Sequence, residues 1–152
     1  MRTLNLIENN SGFVGTVSNS LTPVVLGIDS CAGVSCWPRD LCSDYPTEPT
    51  AESKAGVEYT GPSKSGPGIK EYGSRSLKMV VGRGHTAMKA RVMDVRRPLL
   101  AMLEMADSGK DIHILHNGQH YADDVHIGAR IRFRRHNGIL VEDAQVKSYT
   151  GE

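Results

Sequence analysis

Residues 22–28 (TPVVLGI) form an apolar, β-branched run that stops at Asp29, and they predict a strand that enters the core. Residues 29–33 (DSCAG) break this run, residues 34–37 resume it and Pro38 ends it, so a strand, a loop and a short strand are expected. Residues 39–56 are polar, carry Pro46 and Pro49, and read as a surface connection. A short strand is expected over 57–60. After it, GPSKSGPGIKEYG (61–73) is so dense in Gly and Pro that it reads as either a covering loop or a flexible linker. Residues 76–81 and 86–95 alternate polar and apolar positions, as two strands of a hairpin around Gly82 and Gly84 would.

One segment has helical spacing. In RRPLLAMLEMADSGKD (96–111), Leu99, Leu100, Leu103 and Ala106 fall on one helical face, Pro98 suits a first turn and Gly109 suits a C-terminal cap. Two Asn-Gly pairs follow, Asn117-Gly118 and Asn137-Gly138, each predicting the centre of a hairpin. If His136 faces Ile139, then Arg132 faces Asp143 on one side of the second hairpin, and Ile131, Phe133, Leu140 and Ala144 share the other. The pattern is therefore mainly β with one short helix near residues 98–107. Residues 1–20 read as a poorly ordered N-terminal arm, 21–147 as one domain and 148–152 as a C-terminal tail.

Composition narrows the picture. With 152 residues one domain is the default, and an aromatic share of 5% leaves a core of Val, Ile, Leu and Met, small enough that a partner subunit would help it. The formal charge of +1 provides no overall field for nucleic acid or for a membrane, so neither is expected as a partner. With no h-region and no long apolar run, an intracellular, cytoplasmic protein is expected. Cys31, Cys36 and Cys42 are spaced C-x4-C-x5-C, which fits neither paired zinc knuckles nor a complete disulfide scheme, and they read as reduced thiols.

Asp29 is the residue with the most chemistry to offer. A carboxylate delivered by an apolar strand into a loop of small residues is held rigidly beside the core. Two such acids a few ångströms apart cannot both ionise and therefore share a proton. One can then act as base toward water while the other donates to the attacked carbonyl, which is sufficient for peptide hydrolysis. The sequence offers one such Asp, so its mate must come from a second copy across a two-fold axis. The simpler reading is an Asx turn that only ends the strand.

The segment VVLGIDSCAGVSCWP (24–38) resembles the active-site segment of retropepsin-like aspartic proteases, an apolar run followed by Asp, Ser or Thr, Gly, Ala. YTGPSKSGPGIKEYG (59–73) is similar to the flap region of proteases encoded in retrotransposon polyproteins, and VRRPLLAMLEMADSGKDIHIL (95–115) resembles their later Val-x-x-Pro-Leu-Leu segment, which precedes a short helix and a strand. The resemblance implies a small closed β barrel of the retropepsin-like type that is active as a homodimer on extended polypeptide substrates, with no cofactor beyond the attacking water. It makes Asp29 the catalytic acid and Ser30, Cys31 and Ala32 the active-site loop, with Ser30 bonding to the partner's loop. Residues 60–74 become the flap, with Thr60, Gly61, Gly66, Gly68, Ile69 and Gly73 among its positions. Cys31 stands where the family has Gly, and a side chain there would crowd the approach of the two loops.

Other candidates have plainer explanations. Asp107-Ser108-Gly109 has the intact triplet but follows a helix, so Gly109 reads as its cap. His113, His116 and His120 would fall on two faces of a hairpin, poor geometry for three metal ligands, and no metal is expected. Arg130, Arg132 and Arg134 read as a solvated face paired with Glu142 and Asp143, and Trp37 and Tyr59 as packing residues. Two rivals to the peptidase remain: an inactive relic that keeps the groove as a peptide-binding or dimerisation module, and a nucleic-acid-binding hairpin domain.

Overall fold

The computed structural model describes residues 20–60 and 68–151; all but the last residue of the expected arm at 1–20, and the whole of 61–67 with Gly61 and Gly66, lie outside the described residues. The molecule is mainly β. The described chain runs β1 (Leu21–Asp29), β2 (Cys36–Pro38), α1 (Ala51–Ala55), β3 (Glu58–Tyr59), β4 (Ile69–Val81), β5 (Gly84–Met93), β6 (Leu99–Ala101), α2 (Met102–Asp107), β7 (Lys110–His113), β8 (Tyr121–Asp124), β9 (Arg130–Arg132), β10 (Arg134–His136) and β11 (Ile139–Lys147). Eight strands form one sheet in the order β10-β11-β1-β6-β2-β5-β4-β3, and β11 also pairs with β4, so six of them close into a ring. β7, β8 and β9 form a separate small sheet.

The ring is filled by side chains that alternate inward. Val24 and Leu26 from β1 meet Trp37, Leu77, Met79, Met88, Ala144 and Val146, all buried. A second cluster of Ile28, Met105, Ala122 and Phe133 lies between the ring and the small sheet. Full burial of one such aliphatic side chain stabilises the fold by roughly 1.5–3 kcal/mol. The indole N–H of Trp37 donates to the Leu41 carbonyl at 2.6 Å, which removes the cost of burying that donor.

Several expectations need correction. The helix expected from residue 98 begins at Met102, because Leu99 to Ala101 are taken up as β6, parallel to β1 and between β1 and β2. Of the apolar positions at helical spacing, Leu103 is 69% exposed, and it is Met105 that packs inward. Within the expected surface connection 39–56 there is a second helix, α1, closed by a reciprocal Thr50–Ser53 capping box and by Gly56 in the left-handed region. The third correction concerns register. At Asn137-Gly138 both residues have positive φ, the signature of a two-residue hairpin turn, and His136 does face Ile139. At Asn117-Gly118 only Gly118 does, and His113 pairs with Tyr121 across a longer loop.

The long strand expected through Arg132 splits at Phe133. β9 leaves to pair with β8, with Arg132 opposite Tyr121, and it is Arg134 that holds Asp143 through two bonds of 2.6 and 2.9 Å. Arg130 holds Asp123 in the same way, at 2.8 and 3.1 Å. Glu142 is not on that solvated face. It points inward with Ala144 and Val146 and is 5% exposed. His113 stacks on Tyr121, while His120 is buried with its Nδ1 accepting the Leu115 N–H at 2.9 Å. In the expected tail, Ser148 bonds back to Ser20 and the Tyr149 ring packs against Tyr45.

Candidate active site

Asp29 is the last residue of β1, half-buried, and is placed by strands on both sides. β11 pairs with β1 up to Gly27–Val141, and β6 runs parallel to it through Gly27–Leu99, Ile28–Leu100 and Asp29–Ala101. At Gly27 the two strands come close: its N–H donates to the Pro98 carbonyl at 3.0 Å, and a Cβ would meet the tip of the Leu99 side chain at 2.9 Å, so a larger residue would make that side chain shift. At Asp29 itself the backbone is held by the one parallel neighbour, through Ala101.

The loop after it turns over the carboxylate. The Cys31 N–H donates to Asp29 Oδ1 at 2.8 Å, which is the Asx turn of the simpler reading and gives the carboxylate a defined orientation. Ser30 and Cys31 are exposed, Ala32 is half-buried, and the Ser30 hydroxyl lies 3.9 Å from the Cys31 sulfur. The far end of the loop is anchored by residues that the sequence did not single out. The Ser35 N–H donates to Glu104 at 2.7 Å, and the Ser35 hydroxyl accepts the Ala101 N–H at 2.9 Å. Thus the segment 98–104 holds both ends of the Asp29 loop, although its PLLAMLE pattern reads as an ordinary amphipathic helix.

The segment expected to cover the site begins as a hairpin. β3 pairs with β4 through Tyr59–Ile69 and Glu58–Lys70, so residues 60–68 connect the two strands; Thr60 and Gly68 are exposed and Ile69 is half-buried. Gly73 stands at the root of this hairpin rather than in its connection. It is buried at a bulge in β4 between Glu71 and Gly73, with φ +141°, where the Glu48 backbone would collide with a Cβ.

Beneath that root lies a polar cluster. Glu71 is 1% exposed and accepts from the hydroxyls of Thr50 and Tyr59 and from the Arg91 guanidinium, which also pairs with Glu52 at 3.0 Å. Burial alone would raise the Glu71 carboxyl, but the bonds from Thr50, Tyr59 and Arg91 outweigh it and hold the group below the usual range. Burial and the bond to Glu71 push the Tyr59 hydroxyl up to about 12. α1, β3, β4 and β5 are thereby tied together at one carboxylate.

Glu142 is the opposite case. Burial, opposed by Lys110, pushes its carboxyl up to about 7. An acid whose folded pKa is raised contributes stability that is fully present below its unfolded value of 4.5 and is lost as pH rises through about 7. Glu142→Gln is therefore expected to be nearly neutral at pH 4.5 and stabilising at pH 8, by on the order of 2–3 kcal/mol. Urea unfolding followed by the fluorescence of Trp37 at both pH values checks this; an equal effect at the two pH values counts against it.

The thiols divide similarly. Burial pushes Cys36 and Cys42 up to about 11, which makes them poor nucleophiles, and Cys31 is the exposed one. No helix among the described residues is long and apolar enough to cross a membrane. Comparison with protein-family models, with curated proteins and with solved structures finds no match to this chain.

Proposed function

We propose that this chain is a retropepsin-like aspartic endopeptidase domain of retrotransposon-polyprotein type, a small closed β barrel that hydrolyses extended polypeptides as a homodimer with one Asp29 per subunit. The observation that carries the reading is the placement of Asp29. It ends an apolar strand flanked by an antiparallel and a parallel neighbour, and its carboxylate is oriented by the Cys31 N–H in a loop of small residues. The closed ring of strands and the hairpin leading into 60–68 support the same reading. In the dimer the two Asp29 carboxylates share one proton; the ionised one takes a proton from water, and the protonated one donates to the carbonyl oxygen.

Cys31 favours a second reading, an inactive relic that acts as a peptide-binding or dimerisation module. Its exposed side chain projects from the loop that must approach its symmetry mate. One pair of measurements tests both. Sedimentation of the full chain should show a concentration-dependent dimer, and a peptide library should be cleaved between about pH 4 and 7, where a shared proton operates. A strict monomer overturns the peptidase and the dimerisation module. Cys31→Gly is expected to raise cleavage about tenfold by letting the loops close, an effect of about 1.4 kcal/mol. Cleavage that appears only in Cys31→Gly assigns the relic.

A further inference from the structure

A cavity of about 480 Å³ opens between α2 and β5 and is bounded on its inner side by β1 and β11. Its body is apolar, formed by Leu26, Leu100 and three methionines, Met79, Met88 and Met105. Thioether side chains adapt to the shape of a guest, and the size is within the range of small-molecule sites. No residue of the 29–32 loop contributes to the lining.

Glu142 is in this wall. It is 5% exposed, and its Oε1 is fully buried with no hydrogen-bond partner among the described residues. A buried acceptor without a donor costs about 1–3 kcal/mol, so native structures rarely leave one unless something else supplies the donor. The charged groups around the cavity are Lys110 from β7, Lys89 from β5, and Glu104 and Asp107 from α2, with Asp143 next to Glu142 along β11. The ammonium of Lys110 is drawn to Asp124 at 3.7 Å and to the Ser108 hydroxyl at 3.5 Å. The three carboxyls of the lining, Glu104, Asp107 and Glu142, face two lining ammoniums, one of them already paired with Asp124, which makes the cavity unfavourable for an anion and favourable for a cation.

We propose that this cavity binds a small primary amine, its ammonium paired with Glu142 and its apolar body lying among Met79, Met88 and Met105. The cavity shares Ser35 and Glu104 with the anchor of the Asp29 loop, but amine binding at Glu142 does not require peptide cleavage at Asp29, so either can fail without the other.

Calorimetric titration of the full chain with hexylamine, hexanol and hexanoate at pH 8 tests this. Hexylamine should bind saturably and at least about tenfold more tightly than hexanol, because a charge-assisted bond replaces a neutral one, and hexanoate should not bind. In Glu142→Gln, a near-isosteric change, amine and alcohol should bind equally. The native chain offers a second readout: with its carboxyl at about 7, Glu142 is half protonated in the empty cavity and ionised against an ammonium. At pH 7 each hexylamine should therefore release about half a proton, measured in buffers of different ionisation enthalpy. Absence of saturable hexylamine binding, equal affinity for amine and alcohol in the native chain, a preference that survives Glu142→Gln, or binding without proton release would each overturn the proposal.

Discussion

Replacement of Asp29 by Asn is expected to cut peptide cleavage by about a thousandfold or more, the usual scale for loss of a positioned acid-base group. Asn keeps an amide oxygen where Oδ1 accepts the Cys31 N–H, so the turn and the β1–β6 pairing survive. What Asn lacks is a site that takes up and gives back a proton. Unfolding midpoints within about 0.5 kcal/mol of the native chain would show that the fold is retained. The proposed dimer adds a sharper requirement. If each site needs two ionisable Asp29 groups, mixing native chain with excess Asp29→Asn chain should lower activity per native chain as native subunits pair with variant ones. Activity that stays proportional to native chain alone would mean that one subunit suffices, and the two-copy mechanism would fail.

Glu71→Ala is expected to destabilise the fold by about 3–5 kcal/mol, the range for removing one partner of a buried ion pair. The deletion strips two hydroxyls and a guanidinium of their shared acceptor, and at 1% exposure no bulk water reaches the gap to replace it. Arg91 keeps Glu52 at 3.0 Å, so the lower end of the range applies if that pair tightens. Against a total of roughly 5–15 kcal/mol the loss is large. The pH dependence has a definite sign. A carboxyl held below its ordinary value contributes stability that is present above its unfolded pKa of 4.5 and is lost as pH falls through the folded value. Acid unfolding of the native chain below about pH 4.5 should therefore include a component that Glu71→Gln lacks. Urea titrations at pH 7 and pH 4, read by Trp37 fluorescence, measure both effects. A change under 1 kcal/mol in Glu71→Ala would show that the cluster is incidental to stability.

Position along the chain was legible wherever local chemistry decided it. The apolar run before Asp29, the Gly82–Gly84 turn, the Asn137-Gly138 hairpin and the Gly109 stop each rest on neighbours within a few residues, and each stands in the fold. The α1 helix had a local signal too, Thr50 and Ser53 three residues apart. It was obscured by two prolines and by the absence of any buried residue that would show helical spacing.

Long-range competition decided the rest. Leu99 and Leu100 satisfy helical periodicity, yet β1 offers them a parallel partner, and backbone pairing beside a buried strand outweighs the weak helical preference of three residues. Arg132 lost Asp143 because β9 was drawn to β8, which seats Phe133 in the second core cluster. Sequence alone identified Asp29 as the acid at the end of a core strand, since hydrophobic order and turn chemistry are written in adjacent residues. Only the tertiary structure showed that Ser35 and Glu104 hold its loop, that Glu71 gathers four elements, and that Glu142 faces a cavity, because these pairings join residues that adjacent side chains cannot specify.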